Sequence, residues 1–184
     1  MKKRILPILL LLSPYFYLII VFLGFRLTHA TLGDGMLLLP FCGFIVAVFI
    51  PNMVYAFVLA KRGEKSTTLL FWDMLLKLCN IPIFVAVFLL GMLMSMTLIQ
   101  FAIVVVLVCA AFDYALLLPS TMYGISGLIQ ARREGKITTA TFVINVILHF
   151  WLCTDVISAI VMYWKVSKKS KVEEEKVDEA FMEN

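Results

Sequence analysis

The stretch LIQFAIVVVLVCAAFDYALLLPSTMYGISGLIQ, residues 98–130, decides how the rest of the chain is read. It carries one charged residue, Asp113, and offers no polar face of the kind that the core helix of a soluble protein turns to water. As a helix it would be about 50 Å long, against about 30 Å of hydrocarbon in a bilayer. Such a segment needs lipid as its solvent.

Working outward, four further apolar runs cover residues 5–25, 36–60, 69–93 and 138–164, joined by short polar links at 26–35, 61–68, 94–97 and 131–137. Links this short force neighbouring helices to run antiparallel. The expected fold is therefore all-α, a polytopic transmembrane bundle of about five spanning helices over residues 1–164, followed by a charged C-terminal tail at 165–184. Composition agrees: 62% of the 184 residues are hydrophobic, 15% are charged, and mean hydropathy is +1.00. Soluble domains are nearer half apolar and a quarter charged. The net charge of +4 lies in links and termini. Basic residues there set orientation, and nucleic acid is not an expected partner.

The N-terminal Met1-Lys2-Lys3-Arg4 and a following apolar run resemble a secretion signal. The run at 5–25 is longer than a signal core and reads as a retained first helix. Cys42, Cys79, Cys109 and Cys153 each fall in a different apolar run, as small buried hydrophobes do. No Asn-x-Ser/Thr sequon occurs. The expected location is a bacterial plasma membrane.

Orientation follows from Lys and Arg. Lys2, Lys3 and Arg4, then Lys61, Arg62 and Lys65, then Arg132, Arg133 and Lys136 all become cytoplasmic if the N-terminus is inside. The tail breaks this pattern, because five crossings place Lys165, Lys168, Lys169 and Lys171 outside. Breaking the 98–130 run near Asp113 would add a sixth crossing and return the tail. It would also export Arg132 and Arg133 and leave two short helices with no Gly or Pro turn, so five crossings are kept. Beyond Val172 the tail is acidic, which reads as a solvated extension.

Four runs contain a proline (Pro14, Pro51, Pro82 and Pro119), each of which removes a backbone donor and kinks its helix. Small residues at close-packing spacing are Gly43 with Ala47 and Ser120 with Gly124. Trp72, Tyr163 and Trp164 lie near run ends, where interfacial anchors sit.

The informative residues are those that lipid rejects. Asp73, Lys77, Asp113, His149 and Asp155 lie within apolar runs, as do Asn52, Asn80 and Asn145. An ionised side chain near mid-bilayer costs roughly 2.5–3.5 kcal/mol even on insertion scales, so these residues are expected to face protein or water. Counted along the helix rise, Asp113 and His149 both fall roughly 22 Å from the outer end of their runs. One polar layer, shared by four helices, is the candidate site. Asp73, Lys77 and Asn80 share a helix face, with Asp73 and Lys77 in the favourable i,i+4 order. Thr138, Thr141, Asn145 and His149 form a second stripe. His149 and Asp155, six apart on one helix, are too far round to pair, so Asp113 is the expected partner of His149.

No metal or cofactor is implied. Met92, Met94 and Met96 alternate as soft ligands for Cu(I) would, but no Cys or His reinforces them. Gly124-Ile125-Ser126-Gly127 is similar to the G-x-S-G of rhomboid intramembrane proteases, with His149 on the next helix. The likeness covers four residues, and Ser126 falls about 42 Å along its run, at the cytoplasmic edge, far from His149. Close packing through the two glycines is the better reading. There is no HExxH, no phosphate-binding glycine loop and no presenilin-like aspartate pair, so an enzyme is not expected.

The segment from Asn145 to Ile160, with Ala131-Arg-Arg-Glu-Gly-Lys136 before it, resembles the C-terminal part of small uncharacterised bacterial multi-pass membrane proteins. That resemblance implies no function. In size the chain is similar to the substrate-binding subunits of vitamin-uptake transporters, without a signature of theirs. Two expectations follow. The first is a non-catalytic accessory or interaction protein, partnered by the bilayer and by a membrane protein or a second copy. The alternative is a small carrier or channel component, proton-coupled through Asp113, His149 and Asp155.

Overall fold

The computed structural model describes residues 5–28, 43, 45–97, 102–149 and 151–182. Among them every regular element is helical: α1 (Ile5–Thr28), a π-helical turn (Ile45–Phe49), α2 (Ile50–Lys61), α3 (Ser66–Thr97), α4 (Ala102–Arg133), α5 (Thr139–Leu148) and α6 (Leu152–Met182). Two stretches are long and apolar enough to cross a membrane, Ser66–Leu93 and Ala102–Arg133. Lys2, Lys3, Arg4, Cys42 and most of the first link lie outside the described residues.

The chain forms two compact units. The first comprises Met1–Tyr55 and Cys79–Pro119; the second comprises Ala56–Leu78 and Ser120–Asn184. In the first, Pro14 and Pro82 lie inside helices, whereas Pro51 is the second residue of α2. With no N–H, Pro51 cannot close the preceding turn, and the backbone there widens into the π form. Asn52, fully buried, donates from Nδ2 to the Val48 carbonyl at 2.9 Å within that widened turn. Pro82 lies inside α3 with no such widening, and the Tyr15 hydroxyl donates to the carbonyl of Cys79 one turn before it. Gly91 lets α3 and α4 approach, since a Cβ there would stand 3.3 Å from Cys109 Sγ.

The second unit is built from two matched helix ends. Helix α2 stops at Gly63 (φ 74°) and α4 at Gly135 (φ 70°), both in the left-handed region that glycine enters without strain. Each closes with a 6→1 hydrogen bond, Glu64 N–H to Leu59 O at 3.2 Å and Lys136 N–H to Ala131 O at 2.9 Å. Glu134 then caps α3 from outside. Its carboxylate accepts the Ser66 amide at 3.0 Å and the Ser66 hydroxyl at 2.5 Å, filling an orphan donor at a helix N-terminus that favours negative charge.

The run 138–164, expected as one crossing, is two helices that fold back on each other. Thr138 caps α5, accepting the Thr141 amide. The helix ends at His149 after ten residues, about 15 Å and half a hydrocarbon layer. Helix α6 then returns alongside it. Ser158 donates to Asn145 Oδ1 at 2.8 Å, and Ile137 shares a core with Met162 and Val166. Nearer the link, Lys169 Nζ reaches the Gly135 carbonyl at 2.9 Å and Lys136 Nζ reaches Ser170 Oγ at 3.1 Å. The turn satisfies its own backbone: Trp151 N–H donates to Leu148 O, and the Thr154 hydroxyl lies 3.1 Å from both the Leu148 and Trp151 carbonyls. Leu70, Leu128 and Ala131 complete the core, and Gly127 admits α3 so closely that a Cβ would meet the Leu70 backbone nitrogen at 3.1 Å.

Candidate functional site: a buried ionic tetrad

Asp73 and Lys77 lie one turn apart on α3, on the face turned toward α4, α5 and α6. His149 terminates α5, and Asp155 sits in the first turn of α6, where the helix dipole favours an anion. All four side chains are completely buried. Lys77 Nζ is the hub. It lies 2.6 Å from Asp73 Oδ1, 2.5 Å from Asp155 Oδ1 and 3.0 Å from His149 Nδ1. The contact with Asp73 is an ion pair within one helix, at i and i+4. His149 Nδ1 also contacts Asp155 Oδ1, and its Nε2 lies 4.0 Å from Asp73 Oδ2.

Lys77 Nζ, His149 Nδ1 and Asp155 Oδ1 thus converge within 3.0 Å of one another, and Lys77 has hydrogens to give to both the ring nitrogen and the carboxylate.

Gly124 of α4 closes one side. A Cβ there would lie 2.7 Å from Asp73 Oδ2 and 2.9 Å from His149 Nε2, so only glycine lets α4 pass. The G-x-S-G-like motif is therefore a packing device. Ser126 is buried and donates to the Tyr123 carbonyl at 3.0 Å, while His149 is engaged by Lys77 and the aspartates.

The expected polar layer divides. Asp73, Lys77, His149 and Asp155 meet in the second unit, with Asn145 beside them, donating to the Thr141 carbonyl at 2.7 Å and accepting from Ser158. Asn52, Asn80 and Asp113 belong to the first unit. The expected pairing of His149 with Asp113 is corrected: the partners of His149 are on α3 and α6. The exclusion of His149 with Asp155 is corrected too, because the helix breaks between them. Asn80, seven residues after Asp73 on the same helix, is buried with its Oδ1 lacking a hydrogen-bond partner.

Asp113 lines a groove of about 400 Å³ with Met92, Ser95, Met96 and Cys109. The side chain of Met94, the third of the alternating methionines, lies outside the described residues. Among the described residues no group of three or more His, Cys, Asp or Glu side chains is disposed to hold a metal. In the second unit a groove of about 540 Å³ runs between the matched links and α6, lined by Lys65, Glu134, Lys136, Ser170, Glu173, Glu174 and Asp178. Burial alone would raise the Glu134 carboxyl, but hydrogen bonds from Lys136 and Ser66 outweigh it and hold the group below its ordinary value. Glu174 is lowered, and Lys65 raised, by their hydrogen bond to each other at 3.0 Å.

Among the described residues the chain is all-helical, with two helices long and apolar enough to cross a membrane and four ionisable side chains sealed against one another. Residues 5–169 match the model of a Family of unknown function (DUF6652), and the chain belongs to that family. No curated protein and no solved structure matches it.

Proposed function

We propose that this chain is a non-catalytic, multi-pass integral protein of the bacterial plasma membrane, with its N-terminus in the cytoplasm, acting as an accessory or interaction subunit of a membrane complex. The observation that carries the reading is the closure of the polar site. Four ionisable groups pair with one another at zero exposure, and the two grooves described above are lined by other side chains. A catalytic or substrate site needs an approach for substrate. A sealed ion network instead fixes how helices are registered.

Contacts along the hairpin refine the topology within this proposal. Lys169 to Gly135, Lys136 to Ser170 and Lys65 to Glu174 bring the start of the tail to the two basic links. This supports four crossings by the first four apolar runs and a re-entrant α5–α6 hairpin, in place of five crossings. Every basic cluster then falls on one side, as the positive-inside bias requires. The conflict raised by Lys165, Lys168, Lys169 and Lys171 disappears. A reporter fused after Lys171 is expected to read cytoplasmic; an external signal would restore five crossings.

The accessory role is tested by chemical cross-linking in native membranes, then native mass spectrometry. A fixed-stoichiometry complex with a larger membrane protein is expected. A lone chain or a homo-oligomer would overturn it. The carrier reading is favoured by one observation, the half-buried Asp113 with its Oδ1 lacking a hydrogen-bond partner in the first-unit groove. Reconstituted vesicles with equal proton leak and uptake in wild type and Asp113→Asn would end that alternative.

A further inference from the structure

In the first unit, Asp113 is half-buried and lines the groove of about 400 Å³ between α3 and α4, with Phe88, Met92, Ser95, Met96 and Cys109. The two helices meet where Gly91 lies against Cys109, and the four residues between Thr97 and Ala102 make them antiparallel. Counted along the helix rise from that contact, Asp113 lies about 6 Å to one side and Met96 about 7.5 Å to the other. The groove is thus an apolar trough roughly 13 Å long with a carboxyl toward one end.

The lining selects among occupants. Among the described residues no Lys, Arg or His lines the trough, and Asp113 Oδ1 accepts no hydrogen bond. The Ser95 hydroxyl is already spent on the Gly91 carbonyl at 2.7 Å. An anion would meet only the carboxylate, and a neutral apolar molecule would leave that charge unanswered. A quaternary ammonium matches the charge but has no N–H to donate. A primary ammonium brings both the charge and three donors. An unbranched alkyl chain behind it suits the flexible, polarisable Met92 and Met96 and the Phe88 ring.

We propose that the α3–α4 groove is a binding site for a primary alkylammonium ion, its nitrogen against the Asp113 carboxylate and its chain along Met92 and Met96. Phosphatidylethanolamine carries the same ammonium, but beside a phosphate that this groove has no cation to receive. A free amine is therefore the occupant. Such binding goes beyond the accessory role. It shares Asp113 with the carrier alternative, whose vesicle assay reads movement across the membrane and not occupancy, so the two can fail separately.

The full chain in phosphatidylcholine nanodiscs can be titrated with ¹⁴C-octylammonium near neutral pH, where alkylamines are protonated. Empty nanodiscs correct for partition into lipid. One saturable site per chain is expected, weakened at least tenfold in Asp113→Asn, as loss of a charge-assisted hydrogen bond implies. Val106 lies on the groove and is 53% exposed. Val106→Trp is expected to weaken binding comparably, by filling the trough with its charge intact. If that variant does not fold, Asp113→Asn still decides. Octyltrimethylammonium and octanol are expected to compete at least tenfold less well than unlabelled octylammonium. Phosphatidylethanolamine added to the nanodiscs is expected to leave the affinity unchanged; displacement by it would assign the groove to lipid and overturn the proposal. Absence of saturable binding, the result expected if acyl chains, a second copy or another segment of this chain fill the groove, would overturn it too. So would equal affinity in wild type and Asp113→Asn.

Discussion

The two units place similar residues in opposite situations. In the second, the four buried ionisable residues of the tetrad are paired: Lys77 sits against both Asp73 and Asp155, and His149 against Asp155. In the first, Asp113 stands half-buried beside a groove, and Asn52 spends its amide on its own helix. Lipid tolerates an ionisable group by either route, pairing inside protein or lying at a boundary. What separates them is the break at His149–Trp151. An unbroken helix would hold His149 and Asp155 on diverging faces; the turn swings both toward α3.

The largest test of this contrast is removal of the hub. Lys77→Met leaves two sealed carboxylates without their cation and is expected to cost about 3–5 kcal/mol. Asp113→Asn replaces a half-buried carboxyl whose Oδ1 has no hydrogen-bond partner among the described residues, and is expected to move stability by less than about 0.5 kcal/mol. Thermal unfolding in one detergent compares them directly. Equal melting temperatures for the two variants would erase the distinction between the units.

How much of this was legible in the sequence depends on which signal each feature leaves. Apolar runs located α1, α3 and α4 to within a few residues, because a long uninterrupted apolar run is legible by its own length and composition. The i,i+4 order of Asp73 and Lys77 was legible for the same local reason. The hairpin was not. His149, Phe150 and Trp151 include neither Gly nor Pro, and the break is held by tertiary contacts such as Asn145 with Ser158. Its one trace was indirect: four lysines after Trp164 on the wrong side of a five-crossing count. Gly124 was legible as a packing residue, but the groups it packs against depend on that unseen turn.

Glycine substitutions sharpen the comparison at the next scale. At Gly127 an added methyl meets the Leu70 side chain at 2.9 Å and its backbone nitrogen at 3.1 Å, and backbone cannot step aside. Gly127→Ala is expected to cost about 1–3 kcal/mol. At Gly91 the nearest atom is Cys109 Sγ at 3.3 Å, the end of a side chain that can rotate. Gly91→Ala in the first unit is therefore expected to cost less than about 1 kcal/mol, and Cys109→Ala to relieve it. A Gly91→Ala loss as large as that of Gly127→Ala would mean the first unit is packed as rigidly as the second.

A smaller effect lies at the water-facing end of the second unit. Glu134 has a folded-state pKa below its ordinary value, so its stabilising contribution is present above that ordinary value. It is lost as pH falls through the lower, folded one. Acidification should therefore release the cap on α3, seen as faster exchange of the Ser66 amide. Glu134→Gln should start from a lower stability and lose less of it on the acid side. Parallel pH profiles for the two proteins would remove Glu134 from the account.

The smallest effect is expected where the same chemistry meets full solvent. Lys65 and Glu174 are paired at 3.0 Å but are 69% and 63% exposed, against zero for the tetrad. Water already solvates both groups, and salt screens what attraction remains. Lys65→Ala is expected to leave the melting temperature unchanged at physiological ionic strength. The contact should register only as geometry. A cysteine pair at 65 and 174 should cross-link in wild type and fail to do so when Lys77→Met releases the hairpin. Efficient cross-linking in both would show that α6 is held against the links without the tetrad, and that the buried charges register less of the unit than their burial implies.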